Sequence, residues 1–303
     1  MRQRSGAREL GLIVSALAVC AHFLEPRYAA VIAVLAGIAV AAGVAQLIGR
    51  WSPFREPLYP LALPMVAVFA VAGVARLVGP ALWLVAILPA GWLLVVWVVD
   101  LELFGFFQPP PTERTPDPAL KPIRRIRTRR RPESELPELI VEETIAEPET
   151  PPHPRALAIR STALGMAFLA FVAVGGFVTG ALGEVGQKLS GRHLVELLIL
   201  NAGVAGAVGY RLSALVAPAG RDRMLRLLAF IEYATPAAVG TVVFRTMSLP
   251  RLFVPALLTL ILYIVTILRE SPEPVLMNRR LLQELAVLAL VGAVTVAWGL
   301  LAR

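Results

Sequence analysis

The sequence has very few of the residues that metal binding and disulfide bonding require. Its 303 residues include one cysteine, Cys20, and three histidines that lie far apart along the chain. A single cysteine cannot form an intrachain disulfide, and no pair of cysteines or histidines has the spacing of a zinc, haem or iron–sulfur site. Cys20 lies in an apolar run, where a buried structural cysteine is the ordinary interpretation. The sequence therefore predicts no metal and no cofactor.

Charged residues are also scarce, at 17%, whereas hydrophobic residues make up 57% and the mean hydropathy is +0.71. A soluble domain would be about one quarter charged. So much apolar surface does not fit one water-soluble core, which predicts that lipid surrounds most of the chain. This composition argues against a cytosolic enzyme, a disulfide-rich secreted domain and a nucleic-acid-binding module. The preference for arginine over lysine (only Lys121 and Lys188 are lysine) favours a bacterial source.

Nine apolar segments are separated by polar or proline-containing stretches. Most of them have the roughly 17–25 residues needed to cross about 30 Å of hydrocarbon as a helix. The sequence therefore predicts an all-α polytopic membrane protein with about nine transmembrane helices, four before and five after a long polar loop. The segments are 10–24, 28–49, 58–78, 80–99, 157–182, 192–213, 225–245, 249–268 and 281–302.

Lysine and arginine are distributed unevenly between alternate loops. With the N-terminus inside the cell, the inner segments hold 22 of these residues and the outer segments hold 7. Because cytoplasmic loops are enriched in them, we expect a multi-pass protein of the bacterial inner membrane, with its N-terminus and long loop in the cytoplasm and its C-terminus outside. The alternative is a cleaved leader ending near Cys20, which Val19 disfavours because it is bulky for the position before a lipidated cysteine.

Residues 108–156 contain 12 of the 25 prolines and no aromatic residue. This composition predicts a disordered cytoplasmic linker between a first membrane half, 1–107, and a second membrane half, 157–303. Nine basic and nine acidic residues cancel within it. Its basic block is a candidate for contact with anionic lipid, whereas nucleic acid is disfavoured because no aromatic residue is interleaved. The basic block comprises Lys121, Arg124, Arg125, Arg127, Arg129, Arg130 and Arg131.

The two halves share short motifs in the same order. The second apolar segment reads AGIAVAAG from Ala36 and the sixth reads AGVAGAVG from Ala202, with five of eight positions identical. The alternatives are a parallel duplication, with the ninth segment added, or chance similarity in a chain rich in small residues. Small residues four positions apart favour close helix packing. These pairs are Gly37/Ala41, Gly203/Ala207 and Gly176/Gly180.

Polar residues within the apolar segments are candidates for function, because such groups are costly in a membrane. Asn201 is near mid-depth, and together with Glu232, Thr235 and Pro236 it forms the best candidate lining of a cavity that opens to the inside. No charged residue is placed at the middle of a span. Arg211 is expected to extend to the aqueous boundary from the end of its span.

A second candidate cluster lies at the outer end of the sixth segment. His193 and Glu196 are three residues apart and share a helix face, with Arg192 adjacent. This cluster fits a site for a proton or a lipid head group, or a simple ion pair at the membrane surface.

The sequence contains no recognisable catalytic set, because no Ser–His–Asp group, glycine-rich phosphate loop or carboxylate pair falls on one side of the membrane. The preferred hypothesis is a non-enzymatic scaffold or accessory subunit, with membrane lipids and other membrane proteins as its partners. The alternative is a small-solute or lipid transporter built from two parallel four-helix repeats. A wet cavity at mid-depth beside Asn201, Glu232 and Pro236 would favour the transporter, and a solid core would favour the scaffold.

Overall fold

The computed structural model describes residues 2–48, 59–77, 81–107, 154–179, 191–216, 223–247, 249, 252–270 and 279–301. These residues form nine α-helices and no strand. The helices are α1 (Arg2–Phe23), α2 (Pro26–Ile48), α3 (Tyr59–Leu77), α4 (Ala81–Phe107), α5 (Pro154–Thr179), α6 (Gly191–Val216), α7 (Arg223–Thr246), α8 (Phe253–Glu270) and α9 (Arg279–Leu301). The basic block of the predicted linker lies outside the described residues.

Each predicted apolar segment coincides with one helix, but α1 and α4 are longer than their apolar runs. The first helix begins at Arg2 because its polar first turns consist largely of good helix formers. The fourth continues to Phe107, because Asp100 and Glu102 interrupt the hydropathy without interrupting the helix. Two helices begin with a proline, Pro26 in α2 and Pro154 in α5, at the position where the missing N–H costs no helical hydrogen bond.

Four described helices are long and apolar enough to cross a membrane. Shorter apolar stretches fall in α1, α3, α8 and α9. The helices therefore support a membrane location, while the crossing of all nine is still a prediction. The four long spans are Tyr28–Gln46, Ala156–Val178, Gly191–Leu215 and Met224–Thr246.

Consecutive helices run in opposite directions, so α4 ends and α5 begins at the same end of the bundle. We call this the linker end, and the opposite one the distal end. At the distal end, the last turns of α1 and α3 are joined: His22 Nδ1 lies 2.9 Å from the Ala75 carbonyl oxygen, and the Arg76 guanidinium donates to the Leu24 carbonyl.

Each half places its first four helices in a ring, in which every helix packs on the next and the fourth returns to the first. The rings differ in one respect, because α1 also packs across its ring against α3. Among the described residues, α9 packs mainly against α8. An up-and-down helix bundle produces such rings with or without gene duplication, so the duplication is still a prediction.

The halves meet where α3 packs against α5 and α6. Gly73 of α3 faces Ala173 of α5 so closely that a Cβ at Gly73 would overlap the alanine. A Cβ at Gly176 would lie 2.8 Å from the carbonyl oxygen of Gly73. The rings of Phe69 and Phe177 pack beside this contact with their centroids 4.8 Å apart. The small residue predicted at 176 therefore serves close packing; its partner at 180 lies outside the described residues.

Candidate functional site

A buried ion pair joins the two halves near the linker end. Arg211 of α6 donates from Nε to Glu102 Oε1 over 2.5 Å and from Nη2 to Glu102 Oε2 over 2.8 Å. The side chains are 4% and 1% exposed, respectively. This is the bidentate arrangement that a planar guanidinium and a carboxylate favour. Each residue lies five positions before the end of its helix, which puts the pair about 8 Å inside the bundle.

The expectation that Arg211 reaches the aqueous boundary is wrong, because Glu102 on the other half of the chain holds it inside the bundle. The sequence placed Arg211 at the end of its span but did not pair it with Glu102. The available signal was their opposite charge at matching depths on helices that end on the same side. Sequence alone does not show that these two helix ends approach each other.

Asn201 is buried in α6 and bonded to the neighbouring helix. Its Nδ2 donates to Thr241 Oγ1 over 3.1 Å, and the Thr241 hydroxyl donates to the Ala237 carbonyl within α7 over 2.7 Å. The amide oxygen of Asn201 is buried without a hydrogen-bond partner. This side chain therefore links α6 to α7 but leaves one acceptor unsatisfied inside the bundle.

A second buried hydroxyl pair links α7 to α8. The phenol of Tyr233 donates to Thr266 Oγ1 over 3.0 Å, and the Thr266 hydroxyl donates to the Leu262 carbonyl over 2.7 Å. Both side chains are almost completely buried, as are Asn201 and Thr241. Since a water-filled cavity would make its lining accessible, no wet space of useful size touches these four side chains. The part of the interior that these four side chains occupy is close-packed.

The predicted cavity lining does not come together around a cavity. Glu232 is 54% exposed and pairs with Arg269 of α8, whose Nη1 lies 2.5 Å from Glu232 Oε2. Thr235 is exposed and Pro236 is half-buried, within a helix that continues through the proline. Asn201 is instead enclosed between α6 and α7. The structure thus brings Asn201 to the interior and leaves Glu232 and Thr235 on the surface.

The second predicted cluster contains an ion pair at the distal end. Arg192 Nε donates to Glu196 Oε1 over 3.0 Å, one helical turn apart, and the side chains are 79% and 40% exposed. His193 beside them is half-buried. This geometry fits the interpretation as a surface ion pair, which contributes little to stability. Among the described residues, no group of three or more histidine, cysteine, aspartate or glutamate side chains is placed to hold a metal ion.

The small residues of α6 fall into two groups. Gly206 and Gly209 face α7, where an added Cβ would overlap the rings of Phe230 and Tyr233. Gly203 is exposed, and a Cβ built on it meets nothing within 4 Å. The predicted pair Gly203/Ala207 therefore does not pack through Gly203 within this chain. Gly37 of α2, by contrast, is buried, with its Cβ position 3.6 Å from the carbonyl oxygen of Met65 in α3.

Comparisons with protein-family models, curated proteins and solved structures find no match to this chain. The fold and its buried polar pairs define the described part as an all-helical bundle whose apolar helices are compatible with a membrane location. Function has to be argued from this geometry alone.

Proposed function

We propose that this chain is a non-enzymatic scaffold or accessory subunit of the bacterial inner membrane, and that it binds another membrane helix along α6. The observation that carries this proposal is the exposed Gly203. Val195 and Ile199 lie on the same exposed face at spacings of four residues. A glycine between larger side chains allows a second helix backbone to approach closely, which is how many membrane helices associate.

The packed interior supports a scaffold rather than a transporter. Transport by two repeats requires a central site and movement of one half against the other. Here Asn201, Thr241, Tyr233 and Thr266 are closed off from solvent. The halves are also held by the contact of α3 with α5, where backbones touch, and by the Glu102–Arg211 pair. Such contacts oppose the sliding or rocking that alternating access would need.

The proposed orientation places the linker end in the cytoplasm, with all nine helices crossing the membrane and the C-terminus outside. The charge of the loops supports it, since the segments on the linker side hold most of the lysine and arginine. In this orientation the basic block at 121–131 faces the anionic cytoplasmic leaflet, and the loop between the halves serves as a tether for partners.

The test is co-purification of the full chain from native membranes in a mild detergent, using Gly203→Leu and the matched variant Gly165→Leu. Gly165 of α5 is likewise exposed with no atom near its Cβ position. We expect a stoichiometric membrane protein to accompany the wild type and Gly165→Leu, and at least about tenfold less of it to accompany Gly203→Leu, a loss of about 1.4 kcal/mol. A partner retained equally by both variants would refute the α6 site, and a chain that purifies alone would refute the scaffold.

A further inference from the structure

Helices α8 and α9 form a cleft that opens toward the linker end. The two helices meet at Leu260 and Gly292, where a Cβ on the glycine would lie 3.1 Å from the leucine Cδ2. Nearer the linker end they leave a cavity of about 470 Å³, a volume in the range of small-molecule sites. Its lining consists of Tyr263, Ile267, Gln283, Glu284, Val287 and Leu288.

The lining changes from polar at the mouth to apolar inside. Gln283 and Glu284 are exposed in the second turn of α9, while Val287, which is also exposed, and Leu288, which is half-buried, follow one turn further along the helix. A positive charge lies on the α8 side, where the guanidinium carbon of Arg160 is 6.0 Å from the centroid of the Tyr263 ring. The cleft thus has a mostly apolar lining with the Glu284 carboxylate at one end and the Arg160 guanidinium beside its Tyr263.

We propose that this cleft binds one phospholipid whose zwitterionic head group carries a primary ammonium, as in phosphatidylethanolamine. The guanidinium of Arg160 binds the phosphate, for which its geometry is suited. The carboxylate of Glu284 accepts hydrogen bonds from the ammonium, with the Gln283 amide beside it. One acyl chain lies between α8 and α9 against Ile267, Val287 and Leu288.

The dimensions of the cleft fit a single acyl chain. The α9 lining runs from Gln283 to Leu288, about 8 Å along the helix, which covers the head-group end of one acyl chain, about half of the roughly 15 Å of one leaflet of hydrocarbon. The site depends on the membrane location but not on partner binding at α6, so either can fail alone.

The first experiment measures head-group selectivity. The full chain is stripped of lipid in detergent and titrated with phosphatidylethanolamine, phosphatidylcholine or phosphatidylglycerol of the same acyl chains, and bound lipid is counted by native mass spectrometry. We expect one lipid per chain and about tenfold preference for the ethanolamine head group, because choline cannot donate a hydrogen bond and glycerol carries no positive charge. Glu284→Gln should abolish the preference for the ethanolamine head group, and Arg160→Gln should weaken the binding of all three lipids about tenfold.

The second experiment fills the cleft. Val287→Trp places a ring on the lining of the cleft, whereas Ala289→Trp places the same ring on an equally exposed position that is not part of the lining, about half a turn away on α9. We expect Val287→Trp to lose the bound lipid and Ala289→Trp to retain it. Equal lipid retention by the two variants would overturn the proposed site. Equal binding of all three lipids, unaffected by Glu284→Gln, would overturn the assignment of the head group.

Discussion

Arg211 and Glu102 are separated by 109 positions in the sequence, yet they share two hydrogen bonds at less than 5% side-chain exposure. Their helices, α6 and α4, are not close-packed neighbours among the described elements. The long side chains therefore join two helices whose backbones do not pack closely against each other. The pair joins the halves at the linker end, while glycine and alanine join them between α3 and α5.

Removing one partner of this pair should destabilise the protein strongly. Glu102→Gln leaves the Arg211 guanidinium buried without its counter-charge, and we expect a loss of about 3–5 kcal/mol in the free energy of unfolding. The measurement is denaturant unfolding of the purified chain in detergent.

The double variant Glu102→Leu with Arg211→Leu distinguishes the cost of losing the interaction from the cost of leaving one charge buried without its counter-charge. Because it removes both charges, it should recover most of the stability that Glu102→Gln loses. A double variant as unstable as the sum of the two single variants would show that the pair holds the halves together for reasons other than charge compensation.

The Glu232–Arg269 ion pair provides a matched comparison with the Glu102–Arg211 pair, because the nitrogen–oxygen distance is the same. The contact between Glu232 and Arg269 is 2.5 Å, as in the buried pair, but Glu232 is more than half exposed. Because solvent screens such pairs, we expect Glu232→Gln to cost about 0.2–1 kcal/mol by the same unfolding measurement. A loss equal to that of Glu102→Gln would mean that burial does not distinguish the two pairs.

The contact between α3 and α5 should tolerate no added side chain. Gly176→Leu forces bulk against the Gly73 carbonyl and Leu77, and we expect a loss of about 1–3 kcal/mol, or more if the helices separate. Gly165→Leu on the same helix is the control, since it meets nothing and should change stability by less than about 0.5 kcal/mol. Equal losses of stability in both variants would show that the loss arises within α5 itself and not from its contact with α3.

The Asn201–Thr241 hydrogen bond should contribute modestly. In a double-mutant cycle with Asn201→Ala and Thr241→Val, we expect a coupling energy near 0.6 kcal/mol, typical of polar contacts between membrane helices. Asn201→Leu should be nearly neutral, because it also removes an amide oxygen that has no partner. A coupling energy above about 2 kcal/mol would indicate that Asn201 belongs to a larger polar network.

The orientation of the chain can be tested through its single cysteine. In a Cys20→Ser background, Ser134→Cys within the linker should react with a membrane-impermeant maleimide only after the inner membrane is opened. Ala302→Cys should react in intact spheroplasts. The reverse pattern would invert the proposed orientation. Labelling of both cysteines from the same side of the membrane would contradict an odd number of spans between positions 134 and 302.

The helices were predictable from the sequence, whereas their lateral arrangement was not. Apolar runs indicate where helices form, because hydropathy is a local property of the sequence. Which helix faces which is decided by contacts far apart in the chain. Gly176 shows this, since its small size predicted close packing but did not identify Gly73 as its neighbour.

The candidate site was predicted less well for the same reason. Position along the span predicted Asn201 near mid-depth, but position along a helix carries no information about rotation around the helix axis. Glu232 and Thr235 therefore could not be assigned to the exposed side of α7 beforehand. Gly203 and Gly209 are also identical in type and differ only in direction: one faces outward and the other faces Tyr233.

The contacts described between the halves lie in helices on either side of the linker. We therefore expect that covalent continuity between residues 107 and 154 is not needed for assembly, provided that both pieces enter the same membrane. Residues 1–107 and 154–303, produced as separate polypeptides, should find each other through α3, α5 and the Glu102–Arg211 pair. The two halves are thus expected to behave as the two subunits of a heterodimer that are encoded in one reading frame.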